Sequence, residues 1–349
     1  MQYPYIRIDS ADPFERGVQY GTQAKEQICK AREYYSGVMA ARGMAWNDVC
    51  RFADRYAQKI HDFAPDLIEE IKGIAKGAGL TEGDVLGINL RYEIAKFGSF
   101  PECTTGVALP EATASKTTLA FKNWDFAQGV MDHIVVIHIT AGDTKILGLT
   151  EAGQLIRDGF TNWGLCLNAN NLQSARDHEG YGIPATILRR KALMSRSFEE
   201  AAEVIRTAPR TVSSNILLSD VANGRAIDFE WHPDGQDEML PVDGIVTHAN
   251  HFVMHPELDG ITGRPKNRDL RLRELLMAEH GNITVETIMN ALRDHKYYPL
   301  SLCGHPDPEA GAYGKNRITV SSMITDYANG CAWICAGPPC EGEYVRYEL

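Results

Sequence analysis

A cysteine stands where the breaker-rich run Phe97-Gly98-Ser99-Phe100-Pro101-Glu102 gives way to the extended pattern Cys103-Thr104-Thr105-Gly106. A thiol at a strand edge can act as a nucleophile, although a free cysteine is ordinarily a small buried hydrophobe. Two later clusters raise the catalytic reading. Asn123-Trp124-Asp125-Phe126 sets an amide and a carboxylate on either side of an aromatic at the end of an apolar strand. Thr247-His248-Ala249-Asn250-His251 again places polar groups where a strand runs out. A metal-hydrolase reading competes, because His248, His251 and His255 are spaced by three and four residues. That ligand set works on a helix, whereas Gly244-Ile245-Val246-Thr247 leads in as a strand. Cys331, Cys335 and Cys340 also crowd together, but the C-x-x-C pairing of a zinc knuckle is missing, so they are expected as buried thiols.

The elements that must position these groups change texture near residue 100. Before it the chain reads helical. Asp12-Pro13-Phe14-Glu15 has the form of a helix start, and Leu67, Ile68, Ile71, Ile74 and Ala75 share one helical face. Thr81-Glu82-Gly83-Asp84 carries a capping-box pattern opening a helix through about Ala95. Beyond residue 100, alternation predicts strands over 117–124, 133–140, 145–150, 165–170, 215–219, 226–231, 318–327 and 331–336, with Asn329-Gly330 as a hairpin turn. Helices are predicted over 183–194, 198–207, 267–280 and 285–295. Strand runs interrupted by helix runs imply an α+β layered sandwich rather than a doubly wound sheet.

The length of 349 residues allows one large domain or two, with 44% hydrophobic and 23% charged residues as in ordinary globular proteins. The net charge of −11 argues against a nucleic-acid partner. The basic stretches Arg189-Arg190-Lys191 and 264–273 read as solvated helix faces. No run approaches the apolar length of a membrane helix and no signal peptide is visible, so a cytoplasmic protein is expected.

Taken in order, several motifs identify a family. Ile71-Lys72-Gly73-Ile74-Ala75-Lys76-Gly77-Ala78, Asn89-Leu90-Arg91-Tyr92-Glu93, Cys103-Thr104-Thr105 and Asn123-Trp124-Asp125-Phe126 resemble the acyl-coenzyme A:isopenicillin-N (6-aminopenicillanic acid) acyltransferase family of the N-terminal nucleophile (Ntn) hydrolases. Thr150-Glu151-Ala152-Gly153, the His-Ala-Asn-His stretch and Tyr298-Pro299-Leu300-Ser301-Leu302-Cys303 continue the match. The penicillin V acylases and bile-salt hydrolases are similar at greater distance.

The resemblance implies a four-layer αββα sandwich and self-cleavage between Glu102 and Cys103. Residues 1–102 would be a helical α chain and 103–349 the catalytic β chain, the two fragments forming one intertwined heterodimer. Carried over by position, Cys103 would be the nucleophile, Asp125 the carboxylate orienting its new amino group, and Asn250 the oxyanion donor. Thr105, on the same strand face as Cys103, and Ser301 would assist. The implied activity is an amidohydrolase or acyltransferase acting on a small N-acyl compound or an acyl-coenzyme A, with no cofactor and no metal. Three positions depart from the pattern: Glu102 replaces a small residue, Gly304 an arginine and His232 a serine. Arg317 is a candidate to supply the missing charge.

Overall fold

Two sheets stack face to face in the computed structural model, which describes residues 1–94, 102–178, 180, 182–260, 266–309 and 315–349. The larger sheet runs in the spatial order β1 (Tyr5–Asp9), β4 (Ile134–Ala141), β5 (Thr144–Glu151), β6 (Asp158–Thr161), β7 (Leu165–Asn171), β8 (Ser214–Asp220), β9 (Arg225–His232) and β10 (Gly235–Met239). The smaller runs β11 (Ile245–His248), β2 (Glu102–Ala108), β3 (Leu119–Ala127), β12 (Arg317–Asp326), β13 (Cys331–Ala336) and β14 (Tyr344–Glu348). Only the β1–β4 pairing is parallel among these neighbours; the rest are antiparallel.

Period-two alternation makes the central layer. Val107, Trp124, Val320 and Met323 of the smaller sheet meet Val136, Leu149, Phe160 and Leu217 of the larger. The other face of the larger sheet, including Ile137, Ile139 and Leu218, is covered by helices. These are α1 (Pro13–Gln23), α2 (Lys25–Ala40), α3 (Trp46–Asp54), α4 (Ala57–Phe63), α5 (Pro65–Ala78), α6 (Glu82–Asn89), the short α7 (Arg91–Ile94), α8 (Ala185–Leu193) and α9 (Phe198–Thr207). Against the smaller sheet, Leu272 and Leu276 of α10 (Arg268–Met277) and Ile288 and Leu292 of α11 (Val285–Leu292) pack on Phe121, Ile245 and Ile324. The order helix, sheet, sheet, helix is the expected αββα sandwich.

Local chemistry starts the helices where the sequence predicts. Asp12 Oδ1 accepts from the Glu15 amide at 2.8 Å, and Thr81 and Asp84 form a complete capping box. Helices α1 and α5 touch backbone to backbone. A Cβ on Gly17 would lie 2.1 Å from the Glu70 carbonyl, and one on Gly73 only 2.0 Å from that of Phe14. The glycines of the Ile71–Ala78 motif therefore serve close helix packing.

Several expectations need correction. The segment before residue 100 is not wholly helical: β1 crosses into the larger sheet, a five-residue strand too short for alternation to reveal. The helix expected to reach Ala95 stops at Asn89, whose side chain bonds the carbonyls of Val85 and Gly153 and the Leu155 amide instead of solvent. Ala95 and the run 97–101 lie outside the described residues, as does Arg264. Arg189 and Arg190 are buried, not solvated, and so is Arg268. Arg190 reaches the Glu70 carboxylate at 3.0 Å, and Arg268 is drawn inward by Asp125. Cys331 and Cys335 are buried, but Cys340 is exposed in the turn between β13 and β14. Among the described residues no helix is long and apolar enough to cross a membrane.

Candidate active site

Cys103 is the second residue of β2, paired with Trp124 of β3. Alternation points its side chain into the layer between the sheets, where it is fully buried. Its sulfur lies 3.5 Å from Arg157 Nη2, and the same guanidinium stacks 4.1 Å over the Trp124 ring. Arg157 Nη1 also donates to the Tyr92 hydroxyl at 2.8 Å. A cation so placed stabilises negative charge on sulfur. Beside it, Lys122 holds Asp158 through both carboxylate oxygens at 2.7 Å. Burial pulls Lys122 down to about 8, against the opposing pull of Asp158.

Thr105 shares this face, two residues on, as period two requires. Its Oγ1 accepts from Asn170 Nδ2 of β7 at 2.9 Å, tying the two sheets together beside the thiol. The same amide donates to Asn215 Oδ1 at 3.0 Å and reaches the His248 carbonyl at 3.3 Å.

Asp125 sits on the opposite face of β3, in register with Glu102. Its Oδ1 accepts from Thr319 at 2.6 Å; its Oδ2 accepts from Arg317 at 2.5 Å and Arg268 at 3.3 Å. Arg317 is further held by the carbonyls of Pro299 at 2.7 Å and Ser301 at 3.0 Å. Gly304 makes room for it, since a Cβ there would lie 3.0 Å from the guanidinium carbon. Gly304 and Arg317 are thus in direct contact, with the guanidinium filling the space a side chain at 304 would take. Ser301 uses its hydroxyl within its own loop, donating to the Cys303 carbonyl at 2.6 Å.

Asn250 links the two faces. Its Oδ1 accepts from the Cys103 main-chain N–H at 2.5 Å and from Arg268 at 3.0 Å, while its Nδ2 donates to the Asn171 carbonyl at 2.8 Å. Cys103, Asp125 and Asn250 therefore belong to one hydrogen-bonded array, with Arg268 as the joint. Thr105 borders it on the thiol side, and Ser301 supports it through Arg317.

The three histidines of the competing metal reading do not converge. His248 is buried against Glu230 at 2.6 Å, His251 faces Asp269 at 3.7 Å, and His255 is exposed between Asp237 and Glu257. Each has its own carboxylate, and among the described residues they form no metal-holding group. Burial would lower the His248 pKa, but the Asp228 and Glu230 carboxylates outweigh it and push it up to about 9.

Sequence reasoning missed Arg157, Arg268 and Arg189. Arg189, on α8, is buried and has no hydrogen-bond or ion-pair partner among the described residues; burial and then the charge of Arg157 pull it down to about 10. The signal for Arg157 lay in its position just after Thr150-Glu151-Ala152-Gly153. The structure joins that motif to Asn89-Leu90-Arg91-Tyr92-Glu93, with Arg91 on the Glu151 carboxylate and Asn89 on the Gly153 carbonyl.

The sequence model of a family described as acyl-coenzyme A:6-aminopenicillanic acid acyl-transferase matches residues 112–341, more than half of the chain. The matched stretch includes Asp125, Asn250 and Ser301 and begins beyond Cys103. The chain is 27% identical to the 40 kDa form of acyl-coenzyme A:6-aminopenicillanic-acid-acyltransferase from Emericella nidulans over 335 residues, 94% of this chain and 91% of that one. Among solved structures it is similar to a Caenorhabditis elegans N-acylethanolamine-hydrolyzing acid amidase ortholog (12% identity, TM-score 0.47, 71% of this chain and 100% of that one). It is also similar to penicillin V acylase from Agrobacterium tumefaciens (13% identity, TM-score 0.47, 67% of this chain and 83% of that one).

Proposed function

The chain belongs to the acyl-coenzyme A:6-aminopenicillanic acid acyl-transferase family, and on that premise we propose that it is a self-processing cysteine amidohydrolase and acyltransferase. Its substrates are small N-acyl amides or acyl thioesters, and its intermediate is an acyl-Cys103 thioester. One observation carries the reading. The sulfur and the main-chain nitrogen of Cys103 are held separately, the sulfur beside Arg157 and the nitrogen by Asn250.

In processing, the Cys103 thiol adds to the Glu102 carbonyl carbon. The carbon–nitrogen bond breaks as the carbon–sulfur bond forms, and the thiol proton passes to the departing nitrogen. Water then hydrolyses the thioester, releasing the Glu102 carboxylate and leaving Cys103 at a new N-terminus. The freed α-amino group, with an ordinary pKa of about 8, can take the proton of its own thiol. In turnover the thiolate adds to the substrate acyl carbon. Asn250 donates to the oxyanion, a contribution of about 2.7–4 kcal/mol. The amine or thiol leaves with a proton, and water or another amine takes the acyl group from sulfur. Asp125 acts through Arg268, which holds the Asn250 amide in place. The two fragments remain together because β1 and the helices above it pack on strands of the other fragment.

Intact-mass measurement tests this. The expected result is two fragments of about 11 and 27 kDa, the larger beginning at Cys103, in place of one 38.7 kDa species. Cys103→Ala should stay whole and inactive. A single species with no acylated thiol after incubation with N-acyl amino acids, penicillins and acyl thioesters would overturn the proposal in favour of a non-catalytic binding protein.

A further inference from the structure

We propose that His295, Cys303, His305 and Cys340 form a closed tetrahedral site for a soft divalent cation of the zinc class, apart from the Cys103 centre. One donor atom from each lies within 4.8 Å of all the others. The sulfurs of Cys303 and Cys340 are 3.5 Å apart, and His305 Nε2 is 3.6 Å from the first and 3.2 Å from the second. His295 Nε2 is 3.0 Å from His305 Nε2. Zinc–sulfur bonds of about 2.3 Å and zinc–nitrogen bonds of about 2.0–2.1 Å give tetrahedron edges of roughly 3.8, 3.5 and 3.3 Å. Four of the six edges follow these values to within a few tenths of an ångström, the two from His295 to the sulfurs lie within 4.8 Å, and a two-sulfur, two-imidazole set selects zinc over hard cations.

The surroundings point the same way. A disulfide would need the sulfurs at about 2.05 Å, so this spacing is not a bridge. Two imidazole Nε2 atoms turned toward each other share at most one proton, an arrangement that a common cation explains. The outer nitrogen of His305, Nδ1, faces Glu341 Oε1 at 3.4 Å, the carboxylate that commonly fixes the tautomer of a metal-bound histidine. With two thiolates, the cation's charge is balanced. Four protein donors leave no open position, which marks a structural site.

Its place in the fold says what it would fasten. His295 follows α11, Cys303 and His305 lie in the loop before β12, and Cys340 lies between β13 and β14. That loop supplies the Ser301 carbonyl to Arg317, and the Gly304 amide donates to Thr319 at 2.7 Å. Both partners hold Asp125, so a cation here would fix the support of the carboxylate without touching substrate.

Zinc content of the full chain purified without added metal, followed by cobalt(II) binding after chelation, tests the site. The expected result is about one zinc per chain and sulfur-to-cobalt charge-transfer absorption of a tetrahedral two-thiolate complex. Cys340→Ser should cut retained zinc at least tenfold, while His255→Ala leaves it unchanged. If that variant fails to fold, the cobalt spectrum of the wild-type chain decides. A wild-type chain that holds no zinc and gives no cobalt spectrum overturns the proposal. So does a mass short by two hydrogens, which marks a Cys303–Cys340 disulfide. Neither readout depends on turnover at Cys103.

Discussion

On one face of β3, Lys122 and Trp124 look across to the larger sheet; on the other, Asn123 and Asp125 look toward α10, α11 and the loop before β12. The first face is braced by strands. Lys122 is held by Asp158 of β6 and by the Ala169 carbonyl of β7, and Thr105 beside it by Asn170 of β7. The second is braced by long side chains and loop carbonyls. Asn123 donates to the carbonyls of Leu292 and Leu302, and Asp125 is clamped by Arg317, Arg268 and Thr319. The Cys103 sulfur sits on the strand-braced face, and the Asp125 carboxylate sits on the loop-braced one. They communicate around the edge of the sheet, through Arg268, Asn250 and the Cys103 amide, rather than through it.

Paired variants test that division most strongly. Asp125→Ala strips two buried guanidinium groups of their carboxylate and should cost about 3–5 kcal/mol. Cys103→Ala on the other face should cost about 1 kcal/mol while abolishing processing. Urea unfolding of both uncut chains compares them, and equal losses would erase the distinction. Arg157→Met removes the cation beside the sulfur and should slow fragment formation and turnover by about ten- to a hundredfold. An unchanged time course would show that Arg157 only packs on Trp124. Thr319→Val takes one hydrogen bond from Asp125 and an acceptor from the Gly304 amide; thermal unfolding should report a loss of about 1–2 kcal/mol. A pH-dependent effect concerns His248, whose pKa is raised from 6.5 to about 9 by carboxylates that outweigh burial. A raised histidine stabilises fully below its unfolded value and loses that contribution as pH climbs through the folded one. In chains kept whole by Cys103→Ala, stability should therefore fall between pH 6.5 and about 9 by more with His248 present than with His248→Gln, measured by urea unfolding across that range.

What the sequence disclosed follows from range. Capping at Asp12 and Thr81, the helix over 198–207 and the strand over 331–336 depend on neighbours within a few residues, and all form as read. The shared face of Cys103 and Thr105 needs only strand period. A charge run on an isolated helix looks solvated, as Arg189 and Arg190 do in sequence; only the fold brings Glu70 to Arg190 and buries Arg189. The Cys340 environment was equally out of reach. Its neighbours in space, Cys303 and His305, are more than thirty residues away in sequence, whereas spacing drew attention to Cys331 and Cys335. Residues that act together across three segments leave no local pattern.

Strand β1 has a further consequence. It is the edge of the larger sheet, and its partner β4 lies beyond Cys103. A chain cut before Cys103 would hold that edge by hydrogen bonds and packing alone, with no covalent link between the partners. Folding of the uncut chain is unimolecular, but reassembly of the cut one from denaturant would be second order, with a yield that falls on dilution. Maturation would thereby give the molecule a history: it could reach its working form readily once, as a single chain, and only with difficulty again.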